Sequence, residues 1–102
     1  MGVRFTIFFS TDAKEDLKSI RAHDRQMILD AIETQLIDAP TLETKKRKFL
    51  RNLVPPFDAI PPIWQLRVGT FRVFYDVSEE QFQVFVRAVR RKPAHLTTED
   101  IL

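Results

Sequence analysis

The sequence predicts an α+β fold in the order β-α-α-β-β-β, a helical hairpin packed on one face of a mainly antiparallel sheet. Three observations lead there. The stretch "IWQLRVGTFRVFYDV", residues 63–77, alternates on both sides of Gly69-Thr70 as two strands folded back on each other do. Met27, Ile28, Ala31, Ile32, Gln35 and Leu36 recur at helical spacing. Phe82, Val84, Val86 and Ala88 alternate again, as one face of a further strand.

Each element has its own local signal. Val3 to Phe9 is β-branched and aromatic and reads as the first strand. Ser10 can cap the helix that follows, with Asp12 and Glu15 placed well against its N-terminal dipole. Ala13, Leu17 and Ile20 form the apolar stripe of that helix. A break falls near Ala22-His23, Asp24 is the expected cap of the second helix, and Pro40 ends it. Residues 41–62 read as irregular: a basic run from Lys45 to Lys48, then Phe49, Leu50 and Arg51, then Pro55-Pro56 and Pro61-Pro62 around Phe57 and Ile60. After the hairpin, Ser78-Glu79-Glu80 turns the chain into the last strand, which ends at Arg90-Arg91-Lys92 before Pro93. Thr98 to Leu102 can form a short helical turn.

In the sheet so assembled, Trp64, Leu66, Val68, Phe71, Val73 and Tyr75 face the helices. The opposite face is expected to be open and polar, carrying Gln65, Arg67, Arg72 and Arg87 or Arg91, with Phe74 exposed among them.

A chain of 102 residues makes one small domain, 1–102, and 44% apolar residues with nine Phe can fill one core. The absence of cysteine excludes disulfides and thiolate metal sites. The start, Met1-Gly2-Val3-Arg4, is too weakly apolar for a secretory signal, so the expected location is the cytoplasm, without membrane contact. The net charge of +2 is unevenly spread. Residues 1–43 hold five Lys/Arg against eight Asp/Glu (−3), and residues 44–102 hold eleven against six (+5). That asymmetry suggests a local anion-binding surface in the C-terminal half.

The sharpest feature is a charge conflict. With Gly69-Thr70 as a two-residue loop, Val68 lies opposite Phe71 and Arg67 directly opposite Arg72. Like charges facing across a strand pair destabilise it by roughly 0.2–1 kcal/mol. Two exposed guanidiniums can simply splay apart. A phosphate between them would instead remove the repulsion and gain charge-assisted hydrogen bonds from both forks.

The hairpin Trp64-Gln65-Leu66-Arg67-Val68-Gly69-Thr70-Phe71-Arg72-Val73-Phe74-Tyr75 matches a pattern of aromatic-x-L-R-V-G-x-aromatic-R-V-x-Y. By it, and by Phe9-Ser10-Thr11-Asp12-Ala13 and Arg47-Lys48-Phe49-Leu50, the sequence resembles the RelE/ParE superfamily of toxins from type II toxin–antitoxin systems over residues 3–92. A RelE-like member implies an endoribonuclease that cuts messenger RNA on the ribosome by 2′-oxygen attack, with no metal or other cofactor. Its partners would be the ribosome, messenger RNA and a cognate antitoxin, the last carrying the pair onto operator DNA. A ParE-like member implies inhibition of DNA gyrase without catalysis. A degenerate member would act through antitoxin and operator binding only.

The resemblance also assigns residues. The family's basic pair falls on Gln65 and Arg67, and the arginine opening the next strand on Arg72. The basic residue closing the last strand falls on Lys92, with Arg91 before it. The C-terminal tyrosine of the best-known members falls near Thr98, and His95 is the nearby alternative for proton transfer. The catalytic candidates are thus Arg67, Arg72, Arg91, Lys92 and His95. The RNA-binding candidates are Lys45, Lys46, Arg47, Lys48, Arg51, Gln65, Phe74, Arg87 and Arg90, the cations gripping phosphates and Phe74 offering a stacking face.

Overall fold

The computed structural model describes residues 3–102; Met1 and Gly2, part of the start weighed above as a signal, lie outside the described residues. The order is β1 (Thr6–Phe9), α1 (Thr11–Lys18), α2 (Ala22–Leu36), β2 (Arg47–Leu50), β3 (Ile63–Val68), β4 (Phe71–Ser78), β5 (Gln83–Arg91) and α3 (Thr98–Ile101). The strands form one sheet, β1-β5-β4-β3-β2, in which β1 runs parallel to β5 and the other neighbours are antiparallel. The α+β class and the helical hairpin are as the sequence predicts.

The extra strand, β2, lies in the segment expected to be irregular. It pairs with β3 from Arg47↔Leu66 to Leu50↔Ile63. Its alternation was masked because the inward position that a hydrophobe would normally mark is held by Arg47, which is buried. Other boundaries shift for local reasons. β1 starts at Thr6 because the Phe5 N–H donates to the Ile37 carbonyl (2.7 Å) at the end of α2. Ser10 caps α1 as expected, accepting from the Ala13 N–H at 3.1 Å. Asp24 does not cap α2: it lies in the first turn and pairs with Arg21, which occupies the cap position without a side-chain bond to the helix backbone.

One sheet face meets the helices. Ala13 and Leu17 of α1 and Ile28, Ile32 and Leu36 of α2 pack on Trp64, Leu66, Val68, Phe71, Val73 and Tyr75. The Tyr75 hydroxyl donates to the Pro40 carbonyl (2.6 Å), and burial pushes its phenol pKa well up, against a smaller opposite pull from Arg47.

The second face is not open. Ile63, Phe74 and Ala88 are buried there under Leu50, Leu53, Phe57, Ala59, Ile101 and Leu102, so the proline-rich loop and α3 cover the middle of the sheet. Two causes explain the difference. The ladder between β4 and β5 shifts at Phe74/Tyr75, pairing Phe74 with Ala88 and Tyr75 with Val86. Arg87 is the extra residue, and it turns Ala88 away from the helix-facing side on which Val84 and Val86 remain. Phe82 also leaves the expected alternation, standing before β5 at φ +55 with its ring edge-on to Phe5. The second cause is a buried carboxylate. Asp76 accepts from the Ile60 N–H (3.1 Å) and from Arg87 through Nε (2.6 Å) and Nη2 (3.2 Å), fastening the loop to the sheet.

Arg47 fastens β2 to α2 in the same manner. Its Nε donates to the Leu42 carbonyl (2.9 Å), and its Nη1 to the Gln35 backbone carbonyl and side-chain oxygen (both 2.8 Å). A cation bonding a carbonyl in the last turn of α2 satisfies an otherwise unpaired acceptor at the negative end of the helix dipole. Arg47→Ala should therefore destabilise the protein by about 2–4 kcal/mol in urea unfolding, whereas Lys48→Ala, at an exposed position of the same strand, should stay within about 0.5 kcal/mol of the parent.

Candidate functional site

The tight turn at Gly69-Thr70 sets the site. Gly69 takes φ +58, the backbone value that primed two-residue hairpin turns place at their first position and that glycine adopts without strain. The pairing that follows is Val68↔Phe71 and Arg67↔Arg72, so the two arginines face each other as the sequence predicts.

The sheet extends this pair into a row of cations. Arg72 is paired on its other side with Arg90 of β5. The Arg67 N–H donates to the Lys46 carbonyl (2.7 Å) at the start of β2. Arg67, Arg72 and Arg90 thus come from three adjacent strands at one end of the sheet, with Lys46 just before β2 beside them. Arg91 stands opposite Phe71 with its guanidinium 4.9 Å from the ring centroid, so it lies on the helix-facing side of the sheet and not in this row. The Lys92 N–H donates to the Thr70 carbonyl (2.6 Å), bringing Lys92 against the turn.

Carboxylates then divide the row. Arg90 is turned back to Asp16 of α1, which also accepts from the Val89 N–H at 2.9 Å. Arg87 is held by Asp76. No such partner meets Arg67, Arg72, Arg91, Lys92 or Lys46 among the salt bridges of the described residues. Arg72 is steadied by neutral acceptors instead: its Nη1 donates to the Gly69 (3.0 Å) and Phe71 (2.8 Å) carbonyls. Burial, and then the charge of Arg67, lower the Arg72 pKa from the ordinary arginine value. The smaller, Arg67 share of that shift reflects the two cations facing each other. An oxyanion bound between them would be favoured by both charges.

The remaining expected site residues separate from this cluster. Gln65 is buried, and its Oε1 accepts from the Thr98 hydroxyl at 2.8 Å. Phe74 is fully buried beside Phe57, so it offers no stacking face. Arg47 faces α2, not solvent. Lys45 and Lys48 are exposed near the β2 edge, and Arg51 lies 5.2 Å over the Phe49 ring. His95 is exposed in the turn before α3. It lies near Asp100, whose pKa is held below the usual aspartate value mainly by hydrogen bonding with Thr97, whose N–H donates to Oδ2 at 2.9 Å, with His95 adding a smaller pull.

Sequence reasoning missed Asp16 and Asp76, and it placed Thr98 near the family's tyrosine without its bond to Gln65. Asp76 shares its side of β4 with Arg72 by simple alternation, so a carboxylate near the guanidiniums was visible; that its partner is Arg87 depends on the β4–β5 bulge. Nothing local marks Asp16, 74 residues from Arg90.

Comparison with known proteins gives a consistent picture. The family model described as the ParE toxin of the type II toxin–antitoxin system parDE matches residues 7–92. No curated protein matches the chain. Among solved structures, the RelBE2 toxin–antitoxin complex of Mycobacterium tuberculosis matches with a TM-score of 0.70 at 22% identity, covering 88% of this chain and 100% of that one. An archaeal RelE–RelB complex from Pyrococcus horikoshii matches at 0.63 and 15% identity, covering 92% and 100%. A doubly arginine-substituted variant of the Escherichia coli RelE toxin in the free state matches at 0.59 and 24%, covering 88% and 84%. At these identities the likeness is one of fold.

The paired charges make a measurable prediction. Arg67→Ala should leave the protein as stable as the parent or raise its stability, by about 0.2–1 kcal/mol at low salt, with the gain shrinking as salt screens the pair. Chemical unfolding at two ionic strengths checks it; a loss larger than about 1 kcal/mol would make Arg67 a structural residue.

Proposed function

Since the chain belongs to the ParE toxin family of type II toxin–antitoxin systems, in the RelE/ParE superfamily, we propose that it is a RelE-like endoribonuclease of translated messenger RNA, held inactive by a cognate antitoxin. The observation that carries this reading is the Arg67–Arg72 pair, two cations at a fixed cross-strand spacing with no carboxylate between them. RNA supplies the missing anion. In the reaction the 2′-oxygen bonds to the adjacent phosphorus and the bond to the 5′-oxygen breaks, leaving a 2′,3′-cyclic phosphate and a 5′-hydroxyl. The 2′ proton leaves to a base and the 5′-oxygen gains one from an acid. Arg67 and Arg72 stabilise the charge that grows on the phosphorane oxygens. Lys92 and Lys46 hold flanking phosphates. His95, exposed on the turn before α3, is the side chain of suitable chemistry for proton transfer.

Antitoxin binding follows from the same charge distribution. An acidic, amphipathic segment ordering on the basic end of the sheet would cover the clamp. The toxin–antitoxin complexes among the structural relatives support such a partner.

A ParE-like action on DNA gyrase has its own support. Gln65 stands where the family's basic pair has a cation, and it is engaged by Thr98, while Phe74 is buried; this removes two RNA contacts expected of a nuclease face. The two readings part in one experiment. Induction of the wild type should yield messenger RNA with codon-phased ends and no DNA double-strand breaks, and breaks without RNA cleavage would select the gyrase reading. Arg72→Ala, measured on translating ribosomes, should lose roughly 100-fold or more in cleavage rate while unfolding like the parent.

A further inference from the structure

Beside the clamp lies a cleft of about 580 Å³ that no assigned role uses. Asp30, Ala31, Thr34 and Gln35 of α2 form one wall, and Lys46, Arg67, Val68 and Gly69 form the other. Its charges are opposed across open space. Asp30 is exposed and accepts from the Gln26 side chain (2.9 Å) through Oδ1, leaving Oδ2 free. No ion pair joins Asp30 to Lys46 or Arg67 among the described residues. A cleft lined by a carboxylate and two cations that do not close on each other suits a ligand with an anionic end and a hydrogen-bond-donating end. Ala31, Val68 and Gly69 add an apolar lining on which a flat ring can lie.

Arg67 belongs both to the clamp and to this cleft. A phosphate held by Arg67 would therefore place its attached nucleoside at the cleft mouth. Single-stranded bases are read in this way, splayed out and hydrogen-bonded along their edges. A carboxylate accepts and does not donate, so Asp30 selects bases by their donors. Cytosine, adenine and guanine each present an exocyclic amino group at the ring edge; the one edge donor of uracil, N3–H, stands between two carbonyl oxygens whose lone pairs oppose a carboxylate. Thr34 supplies a hydroxyl that can both donate and accept, and the Gln35 amide nitrogen stays free while Arg47 takes its oxygen.

We propose that this cleft is a nucleobase subsite that favours amino-bearing bases over uracil, with Asp30 as the residue that sets the preference. The proposal rests on the ribonuclease reading for its biological setting but is testable without catalysis. The experiment is nuclear magnetic resonance titration of the full chain with the four nucleoside 3′-monophosphates, on the wild type, Asp30→Asn and Arg67→Ala. The amide signals of Ala31, Thr34 and Gly69 should move. Uridine 3′-monophosphate should bind roughly tenfold more weakly than the cytidine, adenosine and guanosine compounds, the size of one charge-assisted hydrogen bond. Asp30→Asn should erase that difference, because an amide can also donate to the uracil oxygen, and Arg67→Ala should weaken all four alike. Asp30 is exposed, so the variant should fold as the parent does.

Equal affinity for all four nucleotides, or shifts confined to residues outside the cleft, would overturn the proposal. So would an acidic antitoxin peptide that shifts these amides while no nucleotide does, which would make the cleft a protein-docking surface. The ribonuclease reading fails separately. Base-selective binding in the cleft by a protein that cuts no RNA upholds the subsite and removes the nuclease, whereas cleavage with no nucleotide in the cleft removes the subsite alone.

Discussion

The tight turn at Gly69-Thr70 is the constraint on which the other features depend. Strand side chains alternate with a period of two, so a slip of one residue between β3 and β4 would move Trp64, Leu66 and Val68 out of the core. Burial of Trp64 against Tyr75 and of Leu66 against Val73 therefore fixes the register. With the register fixed, Arg67 must face Arg72. The core enforces a repulsion that a single neutral side chain would have avoided.

The basic character of the C-terminal half is consequently not one uniform surface. Asp76 takes Arg87 and ties down the proline-rich loop, while Asp16 takes Arg90 and closes the β5 edge against α1. Gln35 and Leu42 take Arg47 and hold β2 beside α2. Three arginines thus belong to the architecture, and cations without a carboxylate partner gather at the hairpin tip. Partly buried ion pairs such as Arg87–Asp76 exact a desolvation penalty, so their contribution lies more in fixing the loop and the sheet edge than in net stability.

What the sequence made legible was what local periodicity controls. The hairpin register, the Ser10 cap and the inward stripe of Ile28, Ile32 and Leu36 are all short-range patterns. The strand β2 was not legible, because its inward position is an arginine satisfied by α2 carbonyls that only the tertiary fold supplies. The face of Ala88 was not legible either, since one extra residue at Arg87 inverts the alternation behind it. The covering of Phe74 rests on Phe57, Ile101 and Leu102, which are distant in sequence. The candidate site follows the same division. The pairing of Arg67 with Arg72 was legible because both lie within one hairpin, whereas the burial of Gln65, Phe74 and Arg47 depends on neighbours from elsewhere in the chain.

If the facing arginines form an anion site, inorganic phosphate should stabilise the protein beyond its ionic strength. The measurement is thermal unfolding in phosphate and in chloride at matched ionic strength, for the wild type and the Arg67→Ala/Arg72→Ala double variant. A ligand that binds the folded state alone raises stability by RT ln(1 + [L]/Kd), about 2.7 kcal/mol at a hundredfold excess over Kd. The expected result is a Tm that climbs with phosphate in the wild type and stays at the chloride value in the variant. Equal stabilisation of both proteins, or none beyond chloride in either, would contradict it.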